Sequence, residues 1–253
     1  MAPAIHFRSV VALVDGYPVL AGVDLDVAPR EIVALNGANG AGKTSLLRAC
    51  AGLLAVSAGR AEVLGTDLYG DVRALRRRIG LLGHSAGLYD DLTVEDNLRF
   101  AIRAGAGRPD RVGAALDRLG LSGRLRTVAV SRLSAGQRRR AAIAVIVARD
   151  PELWLLDEPH AGLDAEHRDR LDGIIADAVG RGATVVFASH EAERSRALAT
   201  RTVTVAGGAV VDGVLPARPG PPTSEAGDGA VAPAATPGAP FPEPSARHAA
   251  HVA

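Results

Sequence analysis

The sequence predicts an α/β fold: a mixed, mostly parallel sheet with crossover helices, and an α-helical segment inserted into it. Three observations carry this reading. Short apolar, β-branched runs alternate with helical patterns near both ends of the first 215 residues. One such run leads through a glycine-rich loop into a helix. The middle of the chain repeats Arg, Ala and Leu at helical spacing, with few strand-like runs.

Taken in order, residues 5–14 are apolar and β-branched, and Gly16-Tyr17-Pro18 marks a turn after them. Residues 23–27 alternate with period two, as a half-buried strand does. Residues 31–35 form a short apolar strand, and the pattern over 44–54 is helical. Between 71 and 149 the spacing predicts helices at 97–104, 109–119 and 135–149, the last stopped by Pro151. Strand character returns at 153–156, 184–188 and 202–206, with helical segments between. The expected organisation is one domain over residues 1–215, with a helical subdomain at about 86–149 inserted in the α/β core. From Pro216 onward the composition changes: nine of the 15 prolines lie between Pro216 and Pro244, among small and polar residues. Too few large apolar side chains remain there to offset the entropy of ordering, so residues 216–253 are expected to be a disordered tail, with His248 and His251 solvated.

Composition excludes several function classes. The 29 basic and 28 acidic side chains leave a net charge of +1, so no bulk electrostatic hold on nucleic acid or anionic lipid is expected. The longest apolar stretch, 141–148, is far short of the roughly 20 residues a bilayer-spanning helix needs. The N-terminus lacks the basic region, long apolar run and cleavage site of a signal peptide. A single cysteine, Cys50, excludes an internal disulfide and any Cys-rich metal site. If the protein acts at a membrane, something else is expected to carry it there.

Gly37-Ala38-Asn39-Gly40-Ala41-Gly42-Lys43-Thr44, followed by Ser45, fits the phosphate-binding loop G-x-x-x-x-G-K-[ST]. It follows a predicted strand and opens a predicted helix, where backbone N–H groups and the helix N-terminus face an anion. Lys43 is placed to reach the β- and γ-phosphates, and the Thr44 hydroxyl to ligate Mg²⁺. Lys43 is also the only lysine among 29 basic residues, and Arg and Lys are not interchangeable where a compact point charge must sit among phosphates. Leu153-Trp154-Leu155-Leu156-Asp157-Glu158 is an apolar strand ending in two carboxylates at the edge where α/β ligands bind. Asp157 fits a second Mg²⁺ anchor, and Glu158 the group that polarises or deprotonates an attacking water. Ser134 and Gly136, at a predicted helix start, supply hydroxyl and N–H donors for a second anion site.

Leu133-Ser134-Ala135-Gly136-Gln137 resembles the L-S-G-G-Q signature of ATP-binding cassette (ABC) ATPases, with Ala135 in place of the first Gly. Ala161-Gly162-Leu163-Asp164 resembles that family's D-loop, and Ser189-His190-Glu191 its switch histidine. The resemblance covers almost all of residues 1–215. It implies a P-loop NTPase of the ABC nucleotide-binding type, binding ATP and Mg²⁺. Two subunits, most simply identical, would pair head to tail, each offering Ser134, Ala135, Gly136 and Gln137 to the other's ATP. His190 would contact the γ-phosphate and orient the pair of Glu158 and water. A transmembrane permease would hold the subunits at the cytoplasmic face of the membrane.

Besides Ala135, two positions depart from the family pattern, and a few other residues need a reading of their own. His84 stands where Gln usually senses Mg²⁺, making it a further metal candidate. Val14 stands near the usual adenine-stacking aromatic; either Tyr17 substitutes, or adenine rests on apolar side chains. Cys50 reads as a small buried residue, and His160 as solvated or packing. The runs Arg76-Arg77-Arg78 and Arg138-Arg139-Arg140 read as solvated helix faces. Gly83-His84-Ser85-Ala86-Gly87, with Leu-Ser-Ala-Gly-Gln downstream, is similar to the ATPase subunits of cytochrome c biogenesis haem exporters.

Overall fold

A computed structural model describes residues 2–85, 87–105 and 107–212. The tail expected at 216–253, with His248 and His251, lies outside the described residues, as does Ala86. The described strands form two sheets rather than one. The first is antiparallel, in the order β2 (Tyr17–Val27), β1 (Ile5–Val14), β4 (Ala58–Val63), β5 (Thr66–Asp67). The second holds β6 (Ile79–Leu82), β7 (Leu153–Asp157), β8 (Thr184–Ala188), β3 (Ile32–Asn36) and β9 (Arg201–Ala206) in parallel, closed by antiparallel β10 (Ala209–Asp212).

The hairpin β1–β2 turns on Asp15 and Gly16, at φ 50° and 81°. Two positive φ values in a row give a turn whose twist matches the strands, and Asp-Gly accepts them at little cost. Tyr17 and Pro18, expected in the turn, therefore begin β2. Pro18 sits opposite Leu13 on an edge strand, where its missing N–H breaks no ladder.

The parallel sheet is buried on both faces, and its period-two alternation sorts side chains into two cores. Val33, Leu35, Leu153, Leu155, Val186 and Ala188 face the antiparallel sheet and α1 (Lys43–Cys50). Ala34, Trp154, Leu156, Val185 and Phe187 face the opposite core with α3 (Val94–Ala104), α4 (Arg111–Arg118), α5 (Ala135–Arg149) and α6 (Ala165–Gly180). The three helices α3 to α5 lie in sequence between β6 and β7. Helix α3 starts at Thr93, whose hydroxyl accepts from the Asp96 N–H. Two helices complete the described fold: α2 (Arg73–Arg78) before β6 and α7 (Ala192–Leu198) after β8.

Three sequence readings are corrected. Helix α1 ends at Cys50 rather than 54, because Gly52 turns to φ 64° and its N–H returns to the Ala49 carbonyl. The strand β6 lies, unpredicted, inside the stretch read as mainly helical; its four residues are too few to show a period. The runs of three arginines are not uniformly solvated. Arg78 pairs with Glu152 through both Nε and Nη2, Arg76 donates to the Gly52 carbonyl, and Arg139 is buried.

Trp154 is fully buried, and its Nε1 donates to the Pro151 carbonyl at 3.1 Å. Replacing Trp154 by Ala removes the largest side chain of this core and is expected to cost about 3–5 kcal/mol. Urea unfolding followed by circular dichroism measures it, as a lower midpoint at unchanged slope.

Candidate active site

The four strands β3, β6, β7 and β8 all run the same way and end at one edge. Their following residues converge there: Gly37 after β3, Gly83 and His84 after β6, Glu158 after β7, and Ser189 and His190 after β8. The Asn39 to Ser45 loop, His84, Asp157, Glu158, Gly207 and Gly208 line a cleft of about 530 Å³.

The phosphate loop is built as the motif requires. Gly37 adopts φ 145°, and a Cβ there would meet the Val205 carbonyl oxygen at 2.2 Å. Gly42, at φ 108° in the left-handed region, leads into α1. The Gly208 N–H donates to the Ala41 carbonyl at 2.9 Å and ties the loop to the β9–β10 turn. Lys43 is 8% exposed and lies along the loop, its Nζ donating to the carbonyls of Gly37 at 2.6 Å and Ala38 at 3.0 Å.

Thr44 and Asp157 meet across the site, Oγ1 donating to Oδ2 at 2.8 Å. The Asp157 carboxylate is nearly buried, at 8% exposure. A shielded carboxylate whose partner is a neutral hydroxyl suits a hard divalent cation with oxygen ligands. Beside it, Glu158 accepts from His190 through Oε2, at 2.8 Å from Nδ1 and 3.4 Å from the backbone N–H. His190 itself is 68% exposed.

Ser134 caps α5: its hydroxyl accepts from the Gln137 N–H at 3.2 Å, and the Gln137 side chain accepts from the Ser134 N–H at 3.0 Å. A Cβ on Gly136 would meet the Gly162 carbonyl oxygen at 2.6 Å, so the stretches 134–137 and 161–164 pack together. Asp164 caps α6, accepting from the backbone and ring nitrogens of His167, which hold its carboxyl below the usual range. None of Ser134, Ala135, Gly136, Gln137 and Asp164 lines the cleft. The candidate residues thus form two separate groups on one chain.

Other candidates settle plainly. His84 lines the cleft together with Asp157. Tyr17 is 73% exposed, and Pro18 and Val19 line the cleft instead. His160 is buried and packs, with Nε2 2.8 Å from Asp172 Oδ1. Sequence reasoning missed Gly207 and Gly208, although a Gly-Gly pair ending a strand is a legible hairpin signal. It also missed Arg139, whose guanidinium contacts the carbonyls of Gly83, Asp157 and Glu158. A larger open depression, about 760 Å³ against α6 and α7, is lined mainly by mutually paired charges and offers no phosphate-binding backbone.

The ABC transporter family matches residues 20–161. The cytochrome c biogenesis ATP-binding export protein CcmA of Bordetella bronchiseptica is 41% identical over 183 residues, 72% of this chain and 81% of that protein. CcmA of Cupriavidus necator is 40% identical over 177 residues, 69% and 78% respectively. The Fe(3+) ions import ATP-binding protein FbpC of Streptomyces coelicolor is 38% identical over 206 residues, 79% of this chain but 59% of that protein. The solved ATP binding subunit of an ABC transporter matches with a TM-score of 0.75 at 25% identity, over 82% of this chain and 88% of that one. A dimeric ATP-binding cassette, MJ0796 with ADP and Pi, shares the fold, with a TM-score of 0.76 at 23% identity, over 82% and 97%. Fold and motifs together define a P-loop ATPase of the cassette type. The family match spans more than half of the chain, and the chain belongs to the ABC transporter family.

Two expectations follow from this geometry. Gly37→Ala forces a methyl into the Val205 carbonyl, so ATP affinity should fall at least tenfold, with a stability loss of about 1–3 kcal/mol. Calorimetric titration with ATP and a thermal melt read the two effects. Burial pushes the Cys50 thiol up to about 12, so it stays protonated far above neutral pH. A thiol-disulfide dye at pH 8 should detect no reactive thiol in the native protein, and one after denaturation.

Proposed function

We propose that this chain is the ATP-hydrolysing subunit of an exporter serving cytochrome c biogenesis, with haem as its cargo. The single observation that carries the cargo class is the 41% identity to CcmA over 81% of that protein's length. The stretch from Gly83 to Gly87 supports it. Residues 1–215 would be the ATPase domain, with 86–149 its helical subdomain and 216–253 a tail. Two copies would pair head to tail at the cytoplasmic face of the membrane, held by a permease. The separation of Ser134, Gly136 and Asp164 from the phosphate loop supports this pairing, since each group then meets its counterpart only across a second chain.

In this reading the loop N–H groups and the α1 N-terminus cradle the phosphates. Lys43 turns from the carbonyls of Gly37 and Ala38 to the β- and γ-phosphates. Thr44 and Asp157, already hydrogen-bonded, would hold Mg²⁺, and His84 stands beside them. Bound there, the cation neutralises charge on the phosphate oxygens. Glu158 takes a proton from the water that attacks the γ-phosphorus in line with the departing ADP oxygen. His190, hydrogen-bonded to Glu158, orients that pair. Pro18 and Val19 offer adenine an apolar floor in place of an aromatic ring. No nucleic acid takes part.

Glu158→Gln keeps the size and polarity of the side chain but removes the base. Phosphate release should fall at least a hundredfold, ATP affinity should stay within threefold, and Mg-ATP should shift the protein to a dimer in size-exclusion chromatography. Retained turnover would remove Glu158 from the role. Co-purification from the native cells in mild detergent tests the cargo class. Cytochrome c maturation membrane proteins are expected among the partners, and a different permease would overturn the haem assignment while leaving the ATPase intact.

A further inference from the structure

Arg139 lies in the second turn of α5, the helix that Ser134 caps, and is only 9% exposed. Its Nη1 donates to the Gly83 carbonyl at 2.9 Å, and its Nη2 donates to the carbonyls of both Asp157 and Glu158, the latter at 2.6 Å. Its Nε is buried without a partner. Burial pushes the guanidinium pKa down, against the pull of the Asp157 and Glu158 carboxylates. A buried guanidinium that spends its donors on three carbonyls is costly to keep for packing alone.

The carbonyls it holds identify its task. Glu158 has φ 48°, the left-handed region that a side chain adopts only under constraint. Its N–H donates to the Ala188 carbonyl at 2.9 Å. One nitrogen of Arg139 grips the peptide oxygen before the Glu158 Cα and the one after it. Fastening both flanking peptides fixes φ and ψ together, and with them the direction of the Cα–Cβ bond. The second fork nitrogen holds Gly83, the residue before His84. A single side chain therefore joins the helix of the 134–137 stretch, the turn to His84 and the backbone of Glu158.

We propose that Arg139 is a positioning residue that holds Glu158 in its left-handed conformation and makes the aim of the base depend on where α5 sits. This rests on the reading of Glu158 as base and of Ser134 and Gly136 as contacts to a second subunit's ATP. Docking of that nucleotide on the α5 N-terminus is then felt, in the same chain, at Glu158. Lysine cannot replace it, because an ammonium cannot span three carbonyls in a fixed plane.

The test uses the full chain with Mg-ATP. Arg139→Lys and Arg139→Gln are expected to lower kcat at least tenfold while the Kd for a fluorescent ATP analogue stays within threefold. In a Glu158→Gln background, Arg139→Lys should change the residual single-turnover rate by less than twofold, because Arg139 acts through the base. A further tenfold loss in that background, unchanged kcat in a folded variant, or a Kd that weakens in step with kcat each overturns the proposal. If Glu158→Gln alone keeps full turnover, the base reading fails instead, which separates the two failures. Melting temperature and circular dichroism report folding for each variant. If one does not fold, the other carries the test, and unfolding of both reduces Arg139 to a structural role.

Discussion

Leu82 lies opposite Leu156, Asp157 opposite Ala188, and Ala188 opposite Leu35, so four parallel strands stay in step to their carboxyl ends. This register is the constraint on which the site depends. It sets the level at which the phosphate loop, His84, Glu158 and His190 leave the sheet. It also sets which face each strand residue meets. A slip of one residue in β7 would send Trp154 and Leu156 into the core that Leu153 and Leu155 now fill. Asp157 would then turn away from Thr44. Core packing and catalytic geometry are held by the same pairing, so a change that loosens either is felt in both.

The register alone does not shape the phosphate loop. Gly37 is pressed against the Val205 carbonyl, and the Gly208 N–H holds the Ala41 carbonyl. The Ala21 N–H donates in turn to the Gly208 carbonyl at 2.8 Å, which joins the antiparallel sheet to the same turn. Residues more than 160 positions from the loop thus set its path. The antiparallel sheet brings Pro18 and Val19 to the cleft, so the two sheets both line it rather than merely sharing a core.

Much of this was legible in the sequence because the chemistry is local. The phosphate loop, the acid pair after an apolar strand and the Ser134 cap each fit within a few consecutive residues. The limits of β1, β8 and α5 were also readable, since each apolar run stops at a turn or cap residue: Asp15-Gly16, Ser189 and Asp150-Pro151. What was not legible depends on partners distant in sequence. The strands β4, β5 and β6 show no clear period, and only pairing makes them strands: β4 with β1, β5 with β4 and β6 with β7. The arginines at 138–140 look alike in sequence. In the fold Arg138 pairs with Asp90, Arg139 enters the core, and Arg140 holds the carbonyls of Leu119 and Gly120. Only the surroundings of α5, with β6 and β7 on one side and the 90–130 segment on others, separate them.

The basic residues bear on the same point. The chain carries a single lysine among 28 arginines. Whatever produced that bias, the structure shows where each shape is usable. Arginine forks span two or three oxygens at once: Arg78 across Glu152, Arg140 across two carbonyls, Arg139 across three. Each such contact fixes a direction as well as a charge, which suits joints that must hold their geometry. Lys43 does the opposite. Its ammonium rests on two loop carbonyls with no planar demand, at the end of a flexible stem. An ammonium at 139, without the planar fork, would release at least one of the peptides that flank Glu158. The two residue types are therefore divided between the part of the site that must stay rigid and the part that must adapt to its ligand.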